Sequence, residues 1–262
     1  MQKAIGEAYF SSIILKKEPH YHDRHQIILI LKGTVQFCVN GRSGTADRGS
    51  ILIFSRYENH SLTVLSPEYE RYVLQLDPAA ITMESRLYAL LTNRPEGFCN
   101  AIDIAPMLPE FERLFCQLLK EYQTPQPLAE DMQQLLVNQL LILLYRFLPQ
   151  QPHFDEDLYG LQRKLENHCG QQYSLSSLAA ELNISPSSLS HRFKNLTGSS
   201  VMEYLLICRI ATAKRYLAET DLDVCRIVEL CGFSDSSNFS RTFKNRCGLS
   251  PSSFRKKYRS VF

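Results

Sequence analysis

The sequence predicts two domains of different fold class, an N-terminal domain built mainly of β-strands and a C-terminal domain built only of helices. Residues 27–76 contain short apolar and alternating runs punctuated by glycine, as antiparallel strands do. The pattern of residues 178–195 recurs at 227–245. Charge divides the chain in the same way, because residues 1–157 carry 14 Lys and Arg against 19 Asp and Glu, whereas residues 158–262 carry 15 against 8.

The first two strands are predicted ahead of a tight turn. Residues 27–31 form a continuous apolar run that ends before Gly33, and residues 35–39 alternate apolar and polar side chains. Asn40 and Gly41 follow at once, and this pair is a strong signal for a two-residue hairpin. Further strands are predicted at 50–54, 60–65 and 71–76. Many short antiparallel strands indicate a small barrel or sandwich, which we assign to residues 1–78.

Helical periodicity replaces the strand pattern after this barrel. Residues 109–122 and 128–148 have apolar side chains at spacings of three and four, which predicts two amphipathic helices. These helices could pack only on the barrel, or they could pair with a second copy across a two-fold axis. The periodicity alone leaves both arrangements open. The polar, proline-containing residues 149–157 are the predicted linker.

The repeat in residues 158–262 has the features of a duplicated helix-turn-helix. In each copy an apolar helix runs into a turn at Asn183 or Gly232, where the backbone needs a residue that tolerates positive φ. A second helix follows, and capping residues open it. Residues 201–217, between the copies, have apolar side chains at helical spacing and no Gly or Pro, which predicts one long linking helix.

The second helix of each copy presents a polar face that suits a DNA groove. Leu189 and Phe193, and likewise Phe239 and Phe243, stand at positions i and i+4 and are expected to point inward. Small polar and basic residues then face outward, and such a helix can enter the major groove. One copy alone would fit an ordinary helical hairpin equally well. Two copies in a basic domain favour a polyanionic partner.

Residues 161–258, above all 174–198 and 201–256, resemble the AraC/XylS-type transcriptional regulators. Members of this family bind double-stranded promoter DNA through two helix-turn-helix units joined by a long helix, and they usually act as activators. The resemblance therefore implies promoter DNA as a partner and makes RNA polymerase a candidate further partner. It also favours a homodimer, with residues 79–148 as the helical dimerisation segment. The chain departs from the family pattern at Asn183, where glycine is usual, and at Val228, where alanine is usual.

Positions that match the family's DNA-contacting residues can be assigned one by one. The resemblance implies that seven residues contact bases: Ser187, Ser188, Ser190, His191, Ser236, Ser237 and Arg241. The clustering of basic residues in this domain makes six of them candidates for phosphate contacts: Arg192, Lys194, Arg209, Lys244, Arg246 and Lys256. Because serine discriminates poorly between bases and arginine can pair bidentately with guanine, we expect sequence preference mainly in the second unit.

The N-terminal histidines look like the motif pair of the cupins, which makes the barrel cupin-like. Enzymatic cupins hold a metal with two histidines and a glutamate from the first motif and one histidine from the second. Here Gln26 occupies the glutamate position, and a neutral amide is a poor substitute for that carboxylate. We therefore predict no metal and no cofactor, and a structural or effector-lining role for the histidines. The candidates to line an effector cavity are His20, His22, Arg24, Gln26, Tyr57 and His60.

These observations together predict a cytoplasmic transcription regulator that responds to a small molecule in its barrel and is not an enzyme. No nucleophile motif, phosphate-binding loop or HExxH motif occurs. No run of 18 apolar residues and no N-terminal signal pattern is present, and eight cysteines without a Cys-x-x-Cys pair suit reduced thiols. Two alternatives remain: a metal-dependent cupin enzyme fused to a DNA-binding domain, and an architectural DNA binder without a small-molecule input.

Overall fold

The computed structural model divides the chain into two compact units, residues 1–154 and residues 155–262, called here the N-terminal and C-terminal units. The residues that it describes are 4–13, 16–39, 41–77, 85–92, 100–148 and 155–259.

The described part of the N-terminal unit contains nine strands in two antiparallel sheets. They are β1 (Ile5–Ser11), β2 (Lys16–His20), β3 (His25–Lys32), β4 (Val35–Val39), β5 (Arg42–Ala46), β6 (Ser50–Phe54), β7 (His60–Val64), β8 (Glu70–Leu76) and β9 (Ala101–Asp103). One sheet has the order β1-β8-β3-β6-β9 and the other the order β2-β7-β4-β5. The all-β fold class predicted for this region is confirmed.

The core of this unit lies between the two sheets. Ile28 and Phe54 from the larger sheet and Phe37 and Leu62 from the smaller sheet are buried in one apolar cluster. Alternate residues of β3, β4 and β6 reach this cluster, as period-two patterning requires. The predicted hairpin joins β4 to β5 through Gly41, which has a φ of +82°. Its other turn residue, Asn40, lies outside the described residues.

Four strands, β1, β2, β5 and β9, were not predicted. The sequence of β5 is polar and contains Gly44, whose missing side chain leaves room for the Phe37 ring: a Cβ there would lie 2.5 Å from that ring. Strand β9 has only three residues and pairs with β6 at the sheet edge. It lies inside residues 79–148, so the segment that we predicted to be helical also contains a strand. Short polar edge strands lack the apolar alternation on which the prediction depends.

Three α-helices lie in the described part of the N-terminal unit: α1 (Ser85–Thr92), α2 (Leu108–Gln123) and α3 (Ala129–Phe147). The predicted limits of the two longer helices agree with these within one residue. A 3-10 turn (Ala105–Met107) leads into α2. Phe111, Leu114 and Leu118 form the buried face of α2, and the hydroxyl of Tyr122 donates a hydrogen bond of 3.2 Å to the carbonyl of Gly6 in β1. Helix α2 is thereby held against the first sheet.

The described part of the C-terminal unit is entirely helical. Its helices are α4 (Glu156–Asn167), α5 (Leu175–Glu181), α6 (Pro186–Thr197), α7 (Val201–Glu219), α8 (Val224–Leu230), α9 (Ser236–Cys247) and α10 (Pro251–Tyr258). Helix α4 begins within the predicted linker, because the Asp155 carboxylate caps it by accepting a 3.1 Å hydrogen bond from the Leu158 N–H. Residues 149–154 of that linker lie outside the described residues.

The duplicated helix-turn-helix is present as α5–α6 and α8–α9, joined by α7. The predicted linking helix, 201–217, differs from α7 by two residues at one end. The turn residues Asn183 and Gly232 have φ values of +54° and +73°, as the pattern predicted. Gly232 is restricted further, because a Cβ there would lie 2.5 Å from the carbonyl oxygen of Gly170.

Candidate functional site

Helix α6 is oriented by two fully buried anchors, Leu189 and Phe193. Ser185 caps its start by accepting a 3.1 Å hydrogen bond from the backbone N–H of Ser188. With the anchors inward, the predicted base-contacting residues Ser187 and His191 are exposed on the opposite side, one turn apart. Ser188 and Ser190 are half-buried.

Helix α9 repeats this arrangement with Phe239 and Phe243 as buried anchors. The predicted base-contacting residues of this helix are all exposed: Ser236, Ser237 and Arg241. Its N-terminus is capped by Asp235, whose carboxylate accepts a 2.7 Å hydrogen bond from the Asn238 N–H. The packing of each second helix therefore leaves its polar face open to a partner.

Asn238 also lies on this face and was not among the predicted site residues. Its side chain is exposed between Ser237 and Arg241, and its Oδ1 accepts a 3.4 Å hydrogen bond from the hydroxyl of Thr242. An asparagine amide can pair bidentately with adenine. The sequence could have indicated Asn238 as a site residue, because it lies one residue before the buried anchor Phe239 and one helical turn before Thr242.

The six predicted phosphate-contacting residues fall into three groups. Lys194, Lys244 and Lys256 are exposed. Arg192 is paired with the α4 cap residue Asp155, with 2.6 Å between the guanidinium nitrogen and the carboxylate oxygen. Arg246 is paired with Glu203 of α7. A phosphate at either arginine would have to compete with a carboxylate of the protein itself.

Arg209 is held by hydrogen bonds within the protein. Its Nε donates a 2.9 Å hydrogen bond to the carbonyl of Cys169, and its terminal NH2 donates a 2.8 Å bond to the carbonyl of Gln171. Burial lowers the pKa of this guanidinium, and the nearby Cys169 thiol partly offsets that effect. Half-buried on α7, Arg209 fixes the loop between α4 and α5. These contacts give Arg209 a positioning role, and the phosphate contact assigned to it from the sequence stays a prediction.

In the N-terminal unit, two of the candidate effector-lining residues lie inside the barrel. Gln26 is 3% exposed on β3 and shares a face with the core residue Ile28, two positions along. It is paired with Phe54 of β6. The ring of His60, 1% exposed, stacks on Phe54 with a centroid distance of 4.1 Å.

Of the other candidates, His20 and His22 lie beside His60, whereas Tyr57 and Arg24 contact the neighbouring backbone. His20 ends β2 and is the cross-strand partner of His60, and His22 follows two residues later. The three imidazoles lie together, with ring-centroid distances of 4.6 to 5.2 Å. Tyr57, at a φ of +63°, donates its N–H to the His22 carbonyl at 2.7 Å. Arg24 instead packs on Gly6, where a Cβ would lie 2.3 Å from its Nε.

An antiparallel β-unit with a polar group inside it, followed by two helix-turn-helix units with exposed polar faces, defines a DNA-binding regulator with a sensor domain. Comparison with known families agrees: residues 15–144 match the AraC-like ligand binding domain and residues 178–257 match a helix-turn-helix domain. The chain belongs to the AraC/XylS-type family of transcriptional regulators, as its sequence predicted.

Similar proteins extend over most of the chain. The HTH-type transcriptional activator RhaS of Enterobacter sp. (strain 638) is 27% identical over 241 residues, which cover 90% of this chain and 86% of that protein. RhaS of Klebsiella pneumoniae (strain 342) is 26% identical over 240 residues with the same coverage. A crystal form of ToxT from Vibrio cholerae has a TM-score of 0.61 at 14% identity, covering 98% of this chain and 99% of ToxT.

A second ToxT structure, with unsaturated fatty acid bound, has a TM-score of 0.60 at 16% identity and covers 100% of this chain and 99% of ToxT. At this identity the likeness concerns the fold. Among the helices that the structure describes, none combines the length and apolar character needed to span a bilayer.

Proposed function

We propose that the chain activates transcription at promoters that it binds through α6 and α9, and that a small molecule held in the N-terminal unit sets this output. The observation that carries the proposal is the exposure of Arg241 and His191 on the outer faces of two helices whose anchors are buried. The RhaS proteins that match over 86% of their length are named transcriptional activators, which supports activation here. Activation requires RNA polymerase as a further partner.

The DNA contacts in this proposal follow the exposure of the side chains. The base contacts are assigned to Ser187, Ser188, Ser190, His191, Ser236, Ser237 and Arg241, and Asn238 is added to them. Phosphate contacts are assigned first to Lys194, Lys244 and Lys256, because these are exposed. Arg192 and Arg246 can contribute only by exchanging a carboxylate partner for a phosphate.

The test separates base recognition from phosphate binding. Binding of a randomised duplex library, followed by sequencing of the selected duplexes, gives the preference at each position. Arg241→Ala should relax the preference at one position, at a cost of about 1 to 3 kcal/mol for the preferred duplex, because the bidentate pair with guanine is lost. Lys256→Ala should weaken all duplexes alike and reduce the slope of log K against log salt by about 0.9.

Arg226→Ala is the matched control, since Arg226 is exposed on α8 and is paired with Glu229 at 2.7 Å. It should leave both the preference profile and the salt slope unchanged. Equal preference profiles for the wild type and Arg241→Ala would contradict the assigned role of α9.

We further propose that the chain works as a homodimer through α3. Leu128, Met132 and Leu135 are 77%, 45% and 63% exposed and follow one another at spacings of four and three, at the N-terminal end of this helix. Such a stripe on one face is typical of a helix that pairs with another helix. The opposite face of α3, with Val137, Leu141 and Leu144, is already buried within the unit.

Sedimentation equilibrium at micromolar concentration tests the dimer. Leu135→Glu should shift the wild-type dimer to monomer, because an isologous interface would bury the new carboxylate twice. Leu65→Glu is the control, since Leu65 is likewise 55% exposed but lies in the barrel. A wild-type monomer, or equal effects of the two substitutions, would contradict the interface.

We also propose that the chain is a regulator and not an enzyme, and that it acts in the cytoplasm. The family of regulators to which the chain belongs supports the first point. All seven cysteines in the described residues are free thiols, which supports a reducing compartment.

A further inference from the structure

We propose that His20, His22 and His60 bind a divalent transition-metal ion of the zinc type, which is the input, or part of the input, of the sensor unit. One ring nitrogen from each of these histidines lies within 4.8 Å of the others. The sequence led us to expect no metal, because Gln26 replaces a carboxylate. The spatial arrangement of the imidazoles outweighs that expectation, since three imidazoles and a water are sufficient ligands for zinc.

The backbone holds the three rings at one place. His20 and His60 are directly opposite each other on β2 and β7, and the hydrogen bond from the Tyr57 N–H to the His22 carbonyl, 2.7 Å, fixes the segment that follows β2. Nitrogen atoms that share a tetrahedral ion at about 2.0 to 2.1 Å lie roughly 3.3 Å apart. The imidazoles therefore need only small side-chain rotations to meet one ion.

The hydrogen bond of His60 favours the tautomer that a metal ligand requires. Its Nδ1 lies 2.9 Å from the carbonyl oxygen of Glu58, and a carbonyl can only accept, so Nδ1 carries the proton. In the neutral ring Nε2 then carries the lone pair. A metal-ligating histidine is commonly fixed in this way by a backbone carbonyl behind it. The face-to-face stacking on Phe54 further restricts rotation of this ring.

The donor set selects the class of ion. Imidazole nitrogen suits Zn²⁺, Co²⁺, Ni²⁺ and Cu²⁺, whereas Mg²⁺ and Ca²⁺ prefer oxygen donors. His60 is buried but His20 and His22 are half-buried, so the more accessible side of the cluster offers a position for water or an exogenous ligand. Three neutral imidazoles leave the full charge of the ion uncompensated, which favours an anionic group at that position.

Metal binding is tested directly on the full chain, purified without an affinity tag and freed of metal by a chelator. Titration with Co²⁺ alone should produce the visible absorption bands of a tetrahedral site, and Zn²⁺ should abolish them at one equivalent. His22→Gln and His20→Gln should each weaken binding by at least about 100-fold, because removing a ligand costs no less than removing a supporting group behind it. His168→Gln, an exposed histidine of the C-terminal unit, is the matched control.

Each outcome has a defined meaning. Tight Co²⁺ binding by the wild type and by His168→Gln, lost in both cluster variants that retain the wild-type circular dichroism, supports the site. Absence of binding by the wild type, or binding that both cluster variants retain, overturns it.

The role of the ion as input rests on the proposed function, so promoter affinity is measured separately with and without Zn²⁺. DNA binding that is intact but indifferent to Zn²⁺ overturns the metal as input and leaves the regulator standing. Failure to bind any promoter DNA overturns the proposed function and leaves the metal site standing. A ligand shifts such an equilibrium only through different affinities for two states, so Zn²⁺ affinity should itself change when DNA is bound.

Discussion

Gly232 illustrates how one residue can be restricted by two separate causes. Its φ of +73° lies in the left-handed region, where a side chain adds strain. Its Cα also approaches the backbone of Gly170 so closely that a Cβ would lie 2.5 Å from the carbonyl oxygen. Gly248 ends α9 at a nearly equal φ of +71°, but no atom lies within 4 Å of a Cβ placed there. A comparison of the two glycines therefore separates the cost of the left-handed conformation from the cost of the close backbone contact.

Gly248→Ala should lower the free energy of unfolding of the C-terminal unit by about 1 kcal/mol, the cost of the left-handed conformation alone. Gly232→Ala should lower it by roughly 2 kcal/mol or more beyond that, since a backbone carbonyl cannot rotate away as a flexible side chain can. Urea unfolding followed by helical circular dichroism measures both. Equal losses would mean that the approach to Gly170 relaxes without cost.

At the scale of elements, α7 does more than separate the two helix-turn-helix units. Through Arg209 it holds the loop between α4 and α5, and that loop contacts the turn of the second unit: the Gln172 amide donates a 2.9 Å hydrogen bond to the Gly232 carbonyl. On the other side, the Tyr204 hydroxyl accepts a 2.9 Å bond from Gln162 of α4. The arrangement of the two DNA-facing helices thus depends on this one helix.

Arg209→Lys should destabilise the C-terminal unit by about 1 to 3 kcal/mol, because an ammonium cannot reproduce the forked donation to two carbonyls. Because lysine keeps the positive charge, the salt slope of DNA binding is measured with Arg209→Ala. That slope should stay unchanged, whereas loss of a phosphate contact would lower it by about 0.9. Arg215→Lys, exposed on the same helix, is the control and should leave the stability unchanged. A reduced slope for Arg209→Ala together with unchanged stability of Arg209→Lys would support the phosphate contact and contradict the positioning role.

Elements with a strong apolar period were predictable, and elements defined by a distant partner were not. Helix α7 was predicted within two residues, because its apolar residues repeat over five turns without Gly or Pro. The buried anchors of α6 and α9 also fixed the outward faces in advance. The role of Arg209 depends on a loop about 40 residues away, which leaves no local signal. The cupin-like motif pair brought His20 and His60 together in advance, but strand β2 was not predicted, because its sequence, Lys16–His20, lacks a strand pattern.

At the scale of the whole molecule, the burial of the cysteines differs from site to site in both units. Cys116 in the N-terminal unit and Cys225 in the C-terminal unit are exposed, whereas Cys169, Cys208 and Cys231 are buried. Burial raises the pKa of Cys231 to about 12, and the neighbouring Cys169 thiol adds to this shift. Only the thiolate reacts with alkylating reagents, so in the folded protein the exposed thiols should react much faster than the buried ones.

At pH 8, iodoacetamide should modify Cys225 and Cys116 first, because both are exposed. Cys231 should react on the order of 1,000-fold more slowly than a thiol with the reference pKa of about 8.5, from its thiolate fraction alone. In urea this difference should vanish. A time course read by peptide mass spectrometry measures all sites together, with Cys225→Ser as the control that removes one fast site. Rapid modification of Cys231 in buffer alone would show that the core around α7 and α8 opens far more readily than its burial indicates.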